Sequence, residues 1–174
     1  MYKCSNIVLN NFDARERVIE YDWDKFKEAE TCTLNRFEID DKIINKLNEM
    51  EKLKMLIINH CTFKNTKQIE SPIESLILTY SKNFDFEIIK NTYKINQLIL
   101  TRMGNIDIRK LKIFSNLKEL SIFECDIKNF LEIENLKKLK ELKLDGSQID
   151  NKDKLEELKK SIKLQYNTIY HVGD

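Results

Sequence analysis

The sequence predicts an α/β repeat array, with short strands alternating with short helical returns in a single domain over all 174 residues. Three observations lead there. An eleven-residue template, L-x-x-L-x-L-x-x-C-x-I in its clearest copy at 117–127, recurs at near-constant intervals along the chain. Its fourth and sixth positions are apolar and alternate with polar or exposed ones, which is strand periodicity. Between copies the apolar spacing lengthens towards helical intervals.

In chain order the first unit is CSNIVLNNFDA, starting at Cys4, with Ile7 and Leu9 in the two central slots. AETCTLNRFEI, from Ala29, places Cys32 and Leu34 there, and LKMLIINHCTF, from Leu53, places Leu56 and Ile58. IESLILTYSKN, from Ile73, and INQLILTRMGN, from Ile95, fit with their last apolar residue one place late, at Phe84 and Ile106. LKELSIFECDI, from Leu117, and LKELKLDGSQI, from Leu139, fit throughout, and KKSIKLQYNTI, from Lys159, uses Ile162, Leu164 and Ile169. Successive starts are 25, 24, 20, 22, 22, 22 and 20 residues apart. One unit cannot bury its apolar residues alone; stacked units, with strands about 4.8 Å apart, share a continuous core.

The returns read as short helices or 3₁₀ turns. Segment 40–53 carries Ile43, Ile44, Leu47 and Met50 at helical spacing; segment 130–142 carries Leu131, Leu136 and Leu139; segment 152–162 carries Leu155, Leu158 and Ile162. Asp22 stands where it caps a short helix. Segment 64–72 is less helical, and Pro72 ends it.

This pattern resembles the leucine-rich repeat family, in its bacterial type with repeats of about 22 residues, over nearly the whole chain as eight units. The resemblance implies a solenoid with a parallel sheet on its concave face and the returns on its convex face. The family usually has Asn at the ninth position, whose amide bonds to backbone groups of the turn. Here that position holds Phe12, Phe37, Cys61, Ser81, Met103, Cys125, Ser147 and Asn167. Phe and Met cannot make those bonds, so looser turns are expected in the N-terminal units. No capping unit is evident, so the two sheet edges are expected to be exposed and able to pair, unless Lys159, Lys160 and Lys163 keep the C-terminal edge soluble, and the chain reads as a monomer or an edge-paired homodimer.

Composition narrows the function classes. With 30 basic and 29 acidic residues the formal charge is +1, and no overall field draws nucleic acid or an anionic membrane. No apolar run approaches the roughly 18 residues of a membrane helix, and the N-terminus lacks the apolar core of a signal peptide. A cytoplasmic protein with Cys4, Cys32, Cys61 and Cys125 as reduced thiols is expected. No cofactor or metal motif is present among GxxxxGK[ST], GxGxxG and HExxH.

One stretch, LIINHC, sets His60 beside Cys61 and raises the question of a nucleophile with its base, or of two metal ligands. In the repeat register Cys61 points inward and His60 outward, so their side chains diverge. The chain reads as no enzyme. The outward residues instead form a candidate binding face. Ile57, Ile77 and Ile99 occupy the fifth slot of three successive units and span about 10 Å. Phe123 and Tyr80 flank them, and Asn59, His60, Arg36 and Arg102 lie along the rim. An apolar centre with aromatic and arginine neighbours has the composition of a protein interface. The expected role is to hold or sterically block a protein or ribonucleoprotein partner, as a bacterial or phage-encoded inhibitor would. The alternatives are nucleic-acid binding by the lysine-rich C-terminal third, or contact through an end or the convex surface. Isoleucine also suits strands for its own sake, since each cross-strand pair stabilises a sheet by about 0.2–1 kcal/mol.

Overall fold

The computed structural model describes residues 5–11, 21–64 and 67–167. Cys4, Phe12, Ile169 and His171 lie outside these. Eight strands form one all-parallel sheet: β1 (Asn6–Asn10), β2 (Thr31–Asn35), β3 (Met55–Asn59), β4 (Ser75–Thr79), β5 (Gln97–Thr101), β6 (Glu119–Phe123), β7 (Glu141–Lys143) and β8 (Lys163–Gln165). Their order in space is their order in sequence. Each strand is the central part of one template unit, and the result is a solenoid-like α/β fold.

The register follows the template through seven units. Ile7, Cys32, Leu56, Leu76, Leu98, Leu120 and Leu142 pair in succession across the sheet. The eighth unit departs from it: Leu142 pairs with Leu164, not with Ile162. The last unit therefore starts at residue 161 rather than Lys159, 22 residues after Leu139. Ile162, Leu164 and Tyr166 alternate, so a two-residue shift leaves every side chain on the same face. Ile162 still belongs to the preceding return, where its N–H reaches the Leu158 carbonyl at 3.0 Å.

The core lies between the sheet and the returns. The sixth-slot residues Leu34, Ile58, Leu78, Leu100, Ile122 and Leu144 are fully buried. Helix α1 (Asp41–Asn48) starts because the Asp40 carboxylate accepts from the Lys42 and Ile43 N–H groups, both at 3.0 Å, and it buries Ile44 and Leu47. Helix α2 (Lys154–Leu158) buries Leu155 and Leu158. Three other returns are built of short 3₁₀ segments, Phe86–Ile88 and Thr92–Lys94 in one, Ile108–Ile113 in the next and Phe130–Asn135 in the third. The last of these buries Phe130 and Ile133 and exposes Leu131. The three-residue period of a 3₁₀ turn selects that pair, not the Leu131 expected from helical spacing. Four rings stack edge-to-face through the centre: Phe63 on Phe84 at 5.0 Å, Phe84 on Phe86 at 5.3 Å, and Phe86 on Phe114 at 5.6 Å.

The N-terminal edge is partly closed, contrary to the expectation of an open one. The Tyr21 hydroxyl accepts from the Asn10 N–H at 3.0 Å and donates to the Asn10 carbonyl at 2.8 Å. Both main-chain groups of that edge residue are thereby occupied, which guards the edge against pairing at that point. Tyr21 is held by Trp23, edge-on at 6.5 Å, and by Phe37 at 6.1 Å. Asp22 makes no capping bond at the 3₁₀ turn Trp23–Phe26; its carboxylate pairs with Lys25 at 3.0 Å instead. Among the described residues no helix is long and apolar enough to cross a membrane.

Candidate partner-binding face

Four rows of side chains cross the outward face of the sheet. In the fifth-slot row Ile57 pairs with Ile77 and Ile77 with Ile99, so the three isoleucines stand directly side by side and remain partly exposed. Met55, two residues before Ile57 and therefore on the same face, adds a partly exposed side chain. Nothing in the template marks that position; strand parity does.

Polar rows bracket the isoleucines. On the strand-entry side the Ser75 hydroxyl donates to Gln97 Oε1 at 2.6 Å, and Gln97 Nε2 donates to Glu119 Oε2 at 2.7 Å. On the exit side an asparagine ladder runs across three strands, with Asn35 Nδ2 on Asn10 Oδ1 at 2.7 Å and Asn59 Nδ2 on Asn35 Oδ1 at 2.8 Å. Thr79 and Thr101 continue that row, and Phe123, paired with Thr101, ends it diagonally beyond Ile99.

The fourth row stands on an unusual backbone. Arg36, His60, Tyr80, Arg102 and Glu124, the eighth residue of five successive units, are all left-handed, with φ of 61°, 54°, 53°, 52° and 52°. The sixth, Gly146, has φ 69°. The left-handed conformation costs a side-chain-bearing residue roughly 1–2 kcal/mol, and glycine is its ordinary occupant. Five of six units nevertheless carry a large polar or aromatic side chain there. His60 and Tyr80 stack nearly parallel, 5.1 Å apart with planes at 10°. Arg102 Nε meets Glu124 at 2.5 Å, which raises the already high pKa of its guanidinium and leaves a neutralised pair instead of a free cation. Arg36 lies further along, beside Asn10, Asn11, Asn35 and His60 around a depression of about 230 Å³. The structure thus brings all nine anticipated residues to one face and its rim.

Cys61 lies on the other side of the backbone, buried, and belongs to a second ladder inside the turn. From Cys61 to Ser147 each ninth-slot side chain accepts the N–H of the ninth residue one unit earlier. Phe37 N–H reaches Cys61 Sγ at 3.4 Å, Cys61 N–H reaches Ser81 Oγ at 3.4 Å, and Ser81 N–H reaches Met103 Sδ at 3.5 Å. Met103 N–H reaches Cys125 Sγ at 3.3 Å, and Cys125 N–H reaches Ser147 Oγ at 3.2 Å. Methionine therefore does serve in this slot, against expectation, because the turn sets its sulfur opposite the Ser81 N–H. The hydroxyls also donate back, Ser81 to the Ile58 carbonyl and Ser147 to the Ile122 carbonyl.

The ladder gives the buried cysteines different weights. Cys61→Ser and Cys125→Ser are expected to stay within about 1 kcal/mol of the native stability, since serine already fills this slot twice. Cys32 is fully buried in a fourth slot, among apolar residues. Cys32→Ser is expected to cost about 1–3 kcal/mol for a hydroxyl with no partner. Denaturant midpoints measure all three, and equal losses would contradict the ladder. Burial also disfavours the thiolate, raising Cys61 and Cys125 and pushing Cys32 up to about 12.

Elsewhere only part of the charge is paired. In the lysine-rich C-terminal third Glu141 holds Lys143 at 2.9 Å and Lys163 at 3.0 Å, Lys159 meets Glu156 at 2.6 Å, and Lys154 sits between Glu134 and Glu157. Among the described residues no group of three or more His, Cys, Asp or Glu side chains is placed to hold a metal ion. No protein-family model matches the chain, and no curated protein matches it in sequence.

Proposed function

We propose that the chain is a leucine-rich repeat protein and acts as a non-enzymatic binding module, holding or sterically covering a protein partner with the outward, concave face of its sheet. The observation that carries this is the in-register row Ile57, Ile77 and Ile99, partly exposed and flanked by polar rows. An apolar centre with a polar rim is the anatomy of a protein interface, and a contiguous exposed apolar patch marks a contact site. The left-handed row supports the same reading. Side chains kept where the backbone favours glycine point to a role outside stability.

A photo-crosslinking amino acid placed at Ile77 tests the face. Expressed in the native cell and irradiated, it is expected to give a heavier protein adduct. The same group at Leu131, exposed on a return segment, is expected to give none. Adducts from Leu131 and none from Ile77 would move the interface to the returns.

A further inference from the structure

A second surface opens where the repeat is locally irregular. On the loop side, beyond the left-handed row, neighbouring units are tied by main-chain hydrogen bonds. Glu38–Ile39 pairs with Thr62–Phe63, and Lys82 continues that ladder through Cys61 and Phe63. Asn105–Asp107 pairs with Asp126–Lys128, which pairs with Gln148–Ile149. Between the fourth and fifth units the tie is missing. Past the bond from Tyr80 N–H to the Thr101 carbonyl, only Ser81 N–H on Met103 Sδ bridges these turns among the described residues. The sequence shows the cause: Phe84 and Ile106 each come one place late, and a left-handed residue, Asn83 at φ 57° or Gly104 at φ 75°, precedes the late segment in each unit. One short ladder ends at Lys82 and the other begins at Asn105.

The interruption leaves a cleft of about 460 Å³, within the size range of ligand sites. Its floor is apolar, with Phe84 and Met103 partly exposed beside the buried Phe86 and Ile106. The space before Gly104 is open, since a Cβ built there meets nothing within 4 Å. Its rim is cationic. Lys82 and Lys110 are exposed and have no carboxylate partner among the described residues, whereas the wall's own acid, Asp107, is taken up by Arg109 at 2.6 Å and by Asn129. Asn105–Asp107 presents a strand edge towards the gap, the kind of edge that accepts an extended chain.

We infer that this cleft receives an extended acidic segment of the protein partner, with one apolar or aromatic side chain seated on Phe84 and Met103 and carboxylates against Lys82 and Lys110. The inference rests on the protein-binding reading above and adds the chemistry of the segment bound. Tyr80 and Arg102 line the cleft and also belong to the rim of the isoleucine face, so a partner seated on that face continues into it. An apolar floor with only a few cations favours a peptide over a nucleic-acid strand, which needs a basic track along its backbone.

The test uses the full chain and a fluorescein-labelled peptide, Gly-Asp-Glu-Phe-Asp-Glu-Gly, followed by fluorescence anisotropy. Saturable binding is expected. It should weaken at least about tenfold with Lys82→Glu and Lys110→Glu together, with Gly in place of the peptide's Phe, and with rising salt. Ile57, Ile77 and Ile99 changed to Ser should leave it unaltered, and the Gly104 amide resonance should shift on titration. Absence of binding, indifference to the lysine changes, or tighter binding of an oligouridylate would overturn the cleft proposal. Loss of binding with the isoleucine variant would place the peptide on the sheet face and overturn the cleft alone. The crosslink at Ile77 decides the face separately.

Discussion

Phe114→Ala is expected to cost about 3–5 kcal/mol and to split one unfolding transition into two. Phe114 is 1% exposed and ends the edge-to-face stack of Phe63, Phe84, Phe86 and Phe114. That stack crosses the junction of the fourth and fifth units, where the loop-side ladder is interrupted. There the two halves are coupled by the main sheet, by these rings, and by two isolated bonds, Ser81 N–H on Met103 Sδ and Asn116 Nδ2 on the Tyr93 carbonyl. In a stacked array, cooperativity depends on each interface between neighbours, so a cavity at this one uncouples as well as destabilises. Phe130→Ala removes an equally buried ring from the half in which the ladder is continuous, and should cost a similar amount with one transition retained. The single tryptophan, Trp23, reports on the N-terminal half by fluorescence while far-ultraviolet circular dichroism reports on the whole chain. In a guanidinium titration the two probes should separate for Phe114→Ala and coincide for Phe130→Ala. Coincidence in both would show that this junction stays coupled without the Phe114 ring.

Much of this architecture was readable from residue order, and the exceptions have physical causes. From Ile7 to Leu142 the inward residues keep a fixed distance from each unit start, and pairing follows. In the eighth unit Ile162, Leu164 and Tyr166 offer two registers with the same buried face, and the turn closed by Ile162 on Leu158 selects the later one. The isoleucine row was legible because parity alone places it. The chain Ser75–Gln97–Glu119 was not, because hydrogen bonds between polar neighbours depend on rotamers that the template leaves free. Tyr21 lies in a stretch that matches no unit, and its bond to Asn10 spans a return that periodicity does not describe. The late positions of Phe84 and Ile106 were visible in sequence. Their consequence, a gap in the second ladder, appears only when neighbouring turns are set side by side.

The largest effect on function is expected from Ile57, Ile77 and Ile99 changed together to Ser. The fold should survive it. Four cross-strand pairs are altered, Thr33 with Ile57, Ile57 with Ile77, Ile77 with Ile99 and Ile99 with Ser121, each worth about 0.2–1 kcal/mol, and the fully buried Leu56, Ile58, Leu76, Leu78, Leu98 and Leu100 behind them are untouched. Binding should not survive. Central apolar anchors carry most of an interface's energy, about 2 kcal/mol or more for the strongest, and each 1.4 kcal/mol is roughly tenfold in affinity. The direct measurement is capture of the partner from a lysate of the native cell by immobilised native and variant chains, with circular dichroism confirming that both are folded. The native chain is expected to hold a partner and the variant to retain it at least about a hundredfold more weakly; equal retention of the same partner by both would contradict binding through the isoleucine face.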